Sequence, residues 1–168
     1  MKGKNSPQIE ATEHFAKKMF TELHQTITQH ESGALEGRVE AIHDMRVGIR
    51  RLRVALNNFA CCLPKEDRQR LRMTLERMAQ ALGCVRDLDV MIHTLKSKQT
   101  DKFEDDRMAI GAFIRRLRSR RRRRHLQLNR YLQSEEFVRF KNEFLASRQS
   151  ESLSESLTES LNDRGGKK

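Results

Sequence analysis

Apolar side chains recur at three- and four-residue intervals through most of the chain, the spacing that gathers them on one face of an α-helix. Ser6-Pro7 reads as an N-cap followed by proline in the first helical position, and Ile9, Ala16, Met19, Leu23 and Ile27 carry a stripe to about residue 30. The polar stretch HESGALEG then reads as a connection. A second helix is predicted from about Glu40 to Cys62, with Pro64 as its stop. A third begins with acids in its first turn, carries Leu71, Leu75, Met78, Leu82, Val85 and Ile92, and runs to about Leu95. A fourth starts near Phe103. Its stripe of Phe103, Ile110, Phe113, Ile114 and Leu117 resumes at Leu128, Tyr131 and Leu132, and a shorter helix follows from Glu135 to about Ala146.

This pattern predicts an all-α fold: an antiparallel four-helix bundle over residues 6–146, with an extra short helix and a flexible C-terminal tail. Residues 147–168 differ in kind. The run ESLSESLTESLN repeats a four-residue unit whose apolar positions are Leu153, Leu157 and Leu161, so disorder is expected there. A chain of 168 residues is long enough for one real core. The N-terminus MKGKNSPQIE lacks the apolar stretch of a signal peptide, and no run is long and apolar enough to cross a bilayer, so a cytoplasmic protein with no membrane partner is expected. Cys61, Cys62 and Cys84 form neither an even disulfide framework nor a spaced zinc set, and read as small buried hydrophobes.

Charge changes the picture. The net charge is +11, and arginine outnumbers lysine by 23 to 11. A guanidinium holds phosphate oxygens through a planar fork, which puts phosphate-bearing polyanions first among partners. The charge is also sorted. In AIHDMRVGIRRLRVAL the core-facing arc holds Met45, Ile49, Leu52, Leu56 and Phe59, while His43, Arg46, Arg50 and Arg53 collect in a separate arc about 80° wide, free of acids. At 1.5 Å per residue this row is about 15 Å long, which suits a chain-like polyanion better than a single phosphate. A merely solvated face is the alternative, but such faces usually mix signs. His43 reads as a conditional phosphate donor.

The third helix supplies CVRDLDV. Asp89 falls within its apolar stripe, where a carboxylate needs a partner, and arginine is the obvious one. Asp89 and Asp87 are expected to orient arginines of the row, with Arg86 reaching the same anion. In the fourth helix, Arg121 and Arg124 interrupt the line from Leu117 to Leu128, so the bundle is expected to become wet there and the two arginines to extend an anion channel.

The segments HDMRVGIRRLR and LGCVRDLDV resemble the CHAD domain, a helical family named for its histidine, over roughly residues 8–146. The resemblance implies binding of inorganic polyphosphate or a similar polyanion along a basic channel, without catalysis. His43, Arg46, Arg50 and Arg53 match the basic face of the family's second helix, and Arg86 matches its RDxD element. The family usually has two pseudo-symmetric bundles, whereas this chain has one, so a homodimer that rebuilds the pair is a further expectation.

Two other functions stay open at this point. An arginine-rich helix could meet nucleic acid, although one Tyr and no Trp leave few stacking platforms. A phosphoryl-transfer or polyphosphate-hydrolysing enzyme would need a P-loop or metal-holding acids, and no such motif occurs beside the basic row. No cofactor or metal is expected.

Overall fold

The computed structural model describes residues 7–99 and 103–142. They form α1 (Pro7–Thr28), α2 (Glu31–Leu35), α3 (Val39–Asn58), a 3-10 turn (Ala60–Cys62), α4 (Lys65–Gln99) and α5 (Glu104–Leu132), then α6 over residues 135–142. The fold is all-α, and no strand occurs among the described residues. The low-complexity segment 147–168 lies outside them, as does the end of the helix expected to reach Ala146.

The four long helices pack in chain order: α1 on α3, α3 on α4, α4 on α5. Gly48 of α3 faces Ile27 of α1, Arg46 of α3 reaches Asp87 of α4, and Tyr131 of α5 reaches Thr74 of α4. Earlier in α1, Phe15 and Phe20 meet Phe59 just past the end of α3; Arg53 of α3 lines a depression with Lys65 and Arg68 of α4; and Arg121 of α5 pairs with Asp89 of α4. In each pair of helices, later residues of one lie beside earlier residues of the other, so neighbours run antiparallel. The fourth side is closed by α6. Its Phe137 and Phe140 are buried in the main core, the Phe140 ring lies 4.8 Å from His24 of α1, and Lys141 pairs with Glu31 at 2.8 Å.

The core has two compartments. The larger collects Ala16, Phe20 and Ile27, the Ile42–Leu56 stripe of α3, Leu71 to Val85 of α4, and Leu128 and Leu132. The smaller holds Leu88 and Ile92 against Ile114 and Leu117. α4 continues to Gln99, about one turn beyond the predicted stop at Leu95, and the second patch holds its Leu88, Ile92 and Leu95 against α5. Two residues of the predicted stripe do not join it: Phe103 is 87% exposed at the start of α5, and Phe113 faces outward at 48%.

The stretch HESGALEG is not a plain connection. It holds α2, and the turn after it uses Gly37 at φ +80°, a left-handed conformation that favours glycine. A Cβ on Gly37 would also approach the His125 ring within 3.0 Å. The second predicted helix is shorter than expected, ending at Asn58 before the 3-10 turn. The cysteines are not fully buried: Cys61 is exposed, Cys62 is half-buried against the main core and Cys84 is half-buried, all as free thiols. Burial and the adjacent Cys61 push the Cys62 thiol up.

Tyr131 gives a direct check of the α4–α5 packing. Burial and the nearby Glu136 carboxylate push its phenol well above the ordinary value of 10.0. The folded state therefore favours the neutral phenol. Its contribution is complete below pH ~10 and is lost as pH rises towards the folded value. It is the sole tyrosine, without tryptophan beside it, so phenolate absorbance reports it alone. In alkaline titration, tyrosinate is expected to appear only as helicity is lost; half-ionisation near pH ~10 in a fully helical protein contradicts this packing.

Candidate functional site

The basic row of α3 does not point straight out to water. It lies on the flank turned towards α4, because Arg46 reaches across the seam to Asp87 at 3.1 Å. Arg46 and Arg53 are half-buried in the seam, while His43 and Arg50 are exposed on its lip. The four residues stay on one side of one helix, with the rise of about 1.5 Å per residue setting their spacing.

The floor under Arg46 is bare. Gly83 of α4 sits there, and a Cβ built on it would come within 3.5 Å of Arg46 Nη1. Arg86 is half-buried one turn along α4, about 60° around the helix from Gly83. The seam widens at the other end into a depression of ≈ 430 Å³, lined by Arg53, Asn57, Lys65, Arg68, Arg72 and Glu76 among others.

Lys65, Arg68 and Arg72 had no place in the sequence-based site. Their spacing of three and four residues puts them on one face of α4, a signal that only gains meaning once α3 is laid antiparallel beside it. Arg68 spends one guanidinium nitrogen on the carbonyl of Ala60, at 2.7 Å, tying the 3-10 turn to the mouth of the depression.

The seam is not free of acids. The α3 arc contains none, but α4 brings Asp87 against Arg46 and Glu76 into the depression. Both partners of the Arg46–Asp87 pair are substantially exposed, at 43% and 72% of their side chains, so the pair adds no more than about 1 kcal/mol. An incoming anion can share or displace Asp87 at little cost. His43, Arg50, Arg53 and Arg86 form no ion pair among the described residues.

Asp89 takes a different partner from the one expected. It is 4% exposed at its side chain and pairs with Arg121 of α5 rather than with an arginine of α3. Both carboxylate oxygens are used, by Arg121 Nε and Nη2, and Nη2 also donates to the Gly37 carbonyl at 2.8 Å. Arg121 is thus engaged on two sides, inside the molecule. One and two turns on, His125 Nε2 lies 2.9 Å from the Ala34 carbonyl and Asn129 donates to the Leu35 carbonyl at 3.1 Å. These three α5 side chains meet carbonyls at and just beyond the end of α2, where helical hydrogen bonding runs out; the Ala34 carbonyl also accepts the Gly37 amide at 3.1 Å. Arg124 is separate again: it is half-buried on the flank of α5 turned towards α4, beside Cys84, and bonds Gln127 at 2.8 Å.

Chemically, the seam offers guanidinium donors in a line, a bare floor and little internal competition, which suits several linked oxyanions. Among the described residues no cluster of His, Cys, Asp or Glu is arranged to hold a metal ion, and no helix is long and apolar enough to cross a membrane. No curated protein and no solved structure matches the chain. The CHAD domain model matches it over residues 18–167, which is most of its length. With that match, and with the basic row and the RDxD segment meeting at one seam, the chain belongs to the CHAD-domain family.

Proposed function

We propose that this protein binds inorganic polyphosphate, or a similar linear polyanion, along the α3–α4 seam and does no chemistry on it. The observation that carries this reading is the alignment of His43, Arg46, Arg50 and Arg53 along one edge of a groove floored by Gly83, with only Arg46 committed to an internal acid. Arg86 joins the row from α4, and Lys65, Arg68 and Arg72 extend it at the far end. Membership of a family of helical binding domains supports the same view. Asp87 holds the Arg46 fork in place until an anion arrives. Asp89 acts at one remove, through Arg121 and the packing of α4 on α5. Association of two copies, and a location on polyphosphate granules, belong to this reading; a monomer by light scattering, free and with polyphosphate, rejects the first.

The test is affinity for polyphosphate of defined length as a function of salt, with Arg46→Ala and Arg50→Ala compared singly. Steep salt dependence and about tenfold weaker binding for each variant are expected, since tenfold corresponds to about 1.4 kcal/mol. Nucleic acid is the competing ligand, favoured by the arginine run of α5. If long-chain polyphosphate fails to displace bound RNA or DNA at equal phosphate concentration and fixed salt, nucleic acid takes its place. Phosphate release from polyphosphate by the pure protein with magnesium would instead revive an enzymatic role.

A further inference from the structure

A second row of arginines runs along one flank of α5, starting beside α4 at Arg124. Arg116, Arg120, Arg123 and Arg124 recur at four, three and one residues, which keeps them on one flank over about 12 Å. None pairs with an acid among the described residues, and the one side-chain bond in the set is Arg124 to Gln127. They wall a connected series of depressions. Arg124 borders one of ≈ 390 Å³ together with Cys84 of α4, and with Arg120 and Arg123 it borders the next, of ≈ 460 Å³. Arg120 and Arg123 then share a third, of ≈ 720 Å³, with Arg116.

This second row starts across α4 from Arg46. Arg46 lies over Gly83, and Cys84, the next residue of α4, is already in a depression with Arg124. At that level α4 presents a hydrogen and a thiol, where a long side chain would wall one seam off from the other. The helix lies between the two rows, and two small residues, Gly83 and Cys84, lie between their near ends, with the longer Gln80 and Asp87 about one turn to either side.

We propose that a bound polyanion crosses α4 at Gly83–Cys84 and continues along Arg124, Arg123, Arg120 and Arg116, so that long linear chains engage both rows while short ones occupy the α3 row alone. This rests on the α3–α4 seam being the primary anion site. The added contact is intramolecular once the first row is filled, so it raises avidity for long chains without strengthening short ones. Length selection is then a property of the fold.

Cys84 is a probe placed on the crossing. In the full chain carrying Cys61→Ser and Cys62→Ser, N-ethylmaleimide, which is uncharged, reports access to Cys84. Long-chain polyphosphate is expected to slow this labelling about tenfold, an effect that saturating tripolyphosphate does not have. Protection is expected to disappear in both Arg46→Ala/Arg50→Ala and Arg120→Ala/Arg123→Ala at the same ligand concentration, because either change breaks the two-row grip. Unchanged labelling with long chains, equal protection by tripolyphosphate, or protection that survives either pair of substitutions overturns the crossing. Tripolyphosphate affinity measured alongside separates the two ideas. If it falls in Arg46→Ala/Arg50→Ala while long chains leave Cys84 open, the seam stands and the crossing alone is lost.

Discussion

Replacing Asp89 by Ala is expected to destabilise the protein by about 3–5 kcal/mol, the usual cost of removing one partner from a buried ion pair. The loss exceeds the value of the contact itself. Arg121 is 19% exposed at its side chain, so its guanidinium would be left mostly out of water with the Gly37 carbonyl as its remaining partner. A charge in that position must drag in water or pull away, and either response loosens α5 from the α2–α3 turn. Urea unfolding followed by helical circular dichroism measures the effect. The double variant Asp89→Leu/Arg121→Met should recover much of the loss, since it removes both charges and fills the gap between the two core compartments with apolar volume. A single-variant change below about 1 kcal/mol would mean that Arg121 finds water readily, and that the pair does not hold the helices together.

The pair also explains what the sequence concealed. A helical wheel identifies Asp89 as an acid within an apolar stripe and Arg121 as a base within another, and each on its own suggests a ligand site. The chain uses them on each other. The reason lies in α2, a helix of five residues whose terminal carbonyls need donors. Periodicity cannot reveal so short a helix, and without it the spacing of Arg121, His125 and Asn129 has no visible purpose. With α2 in place, these residues at four-residue intervals on α5 become the donors to Gly37, Ala34 and Leu35. The break in the apolar stripe at Arg121 is filled by one carboxylate and an internal carbonyl.

The long helices were legible because each carries an amphipathic stripe over many turns. The basic arc of α3 was legible for the same reason, since angles around one helix follow from its sequence. What faces that arc was not. Asp87, Glu76, Arg72 and Gly83 approach it from another helix, and only the antiparallel pairing of α3 with α4 decides which of them lie opposite Arg46 or Arg53. Full burial of the cysteines was expected from a preference that local geometry overrides, although Cys62 does pack against the core. Cys61 sits in a 3-10 turn, and Cys84 is about 160° around α4 from Leu82, at the edge of the α4–α5 contact where it is half-buried.

The second large effect concerns the row itself. Changing Arg46, Arg50 and Arg53 together to Ala is expected to weaken polyphosphate binding about 10³-fold while leaving thermal stability nearly unchanged. Hydrogen bonds to charged groups contribute about 1.5–3 kcal/mol each; for exposed donors the lower end applies, and each 1.4 kcal/mol is about tenfold. Stability should hold because Arg50 and Arg53 have no internal acid partner and the Arg46–Asp87 pair is exposed. The matching triple change to Lys separates charge from shape. It keeps the field that attracts the anion but loses the planar forks, so affinity should fall between wild type and the Ala variant, with a salt dependence close to that of wild type. If the Lys variant binds as tightly as the native row, a diffuse positive field is enough and the fixed alignment of guanidinium groups along α3 has no special part. If the Ala variant binds normally, the anion lies elsewhere on the molecule, and the arginines of α5 become the primary site.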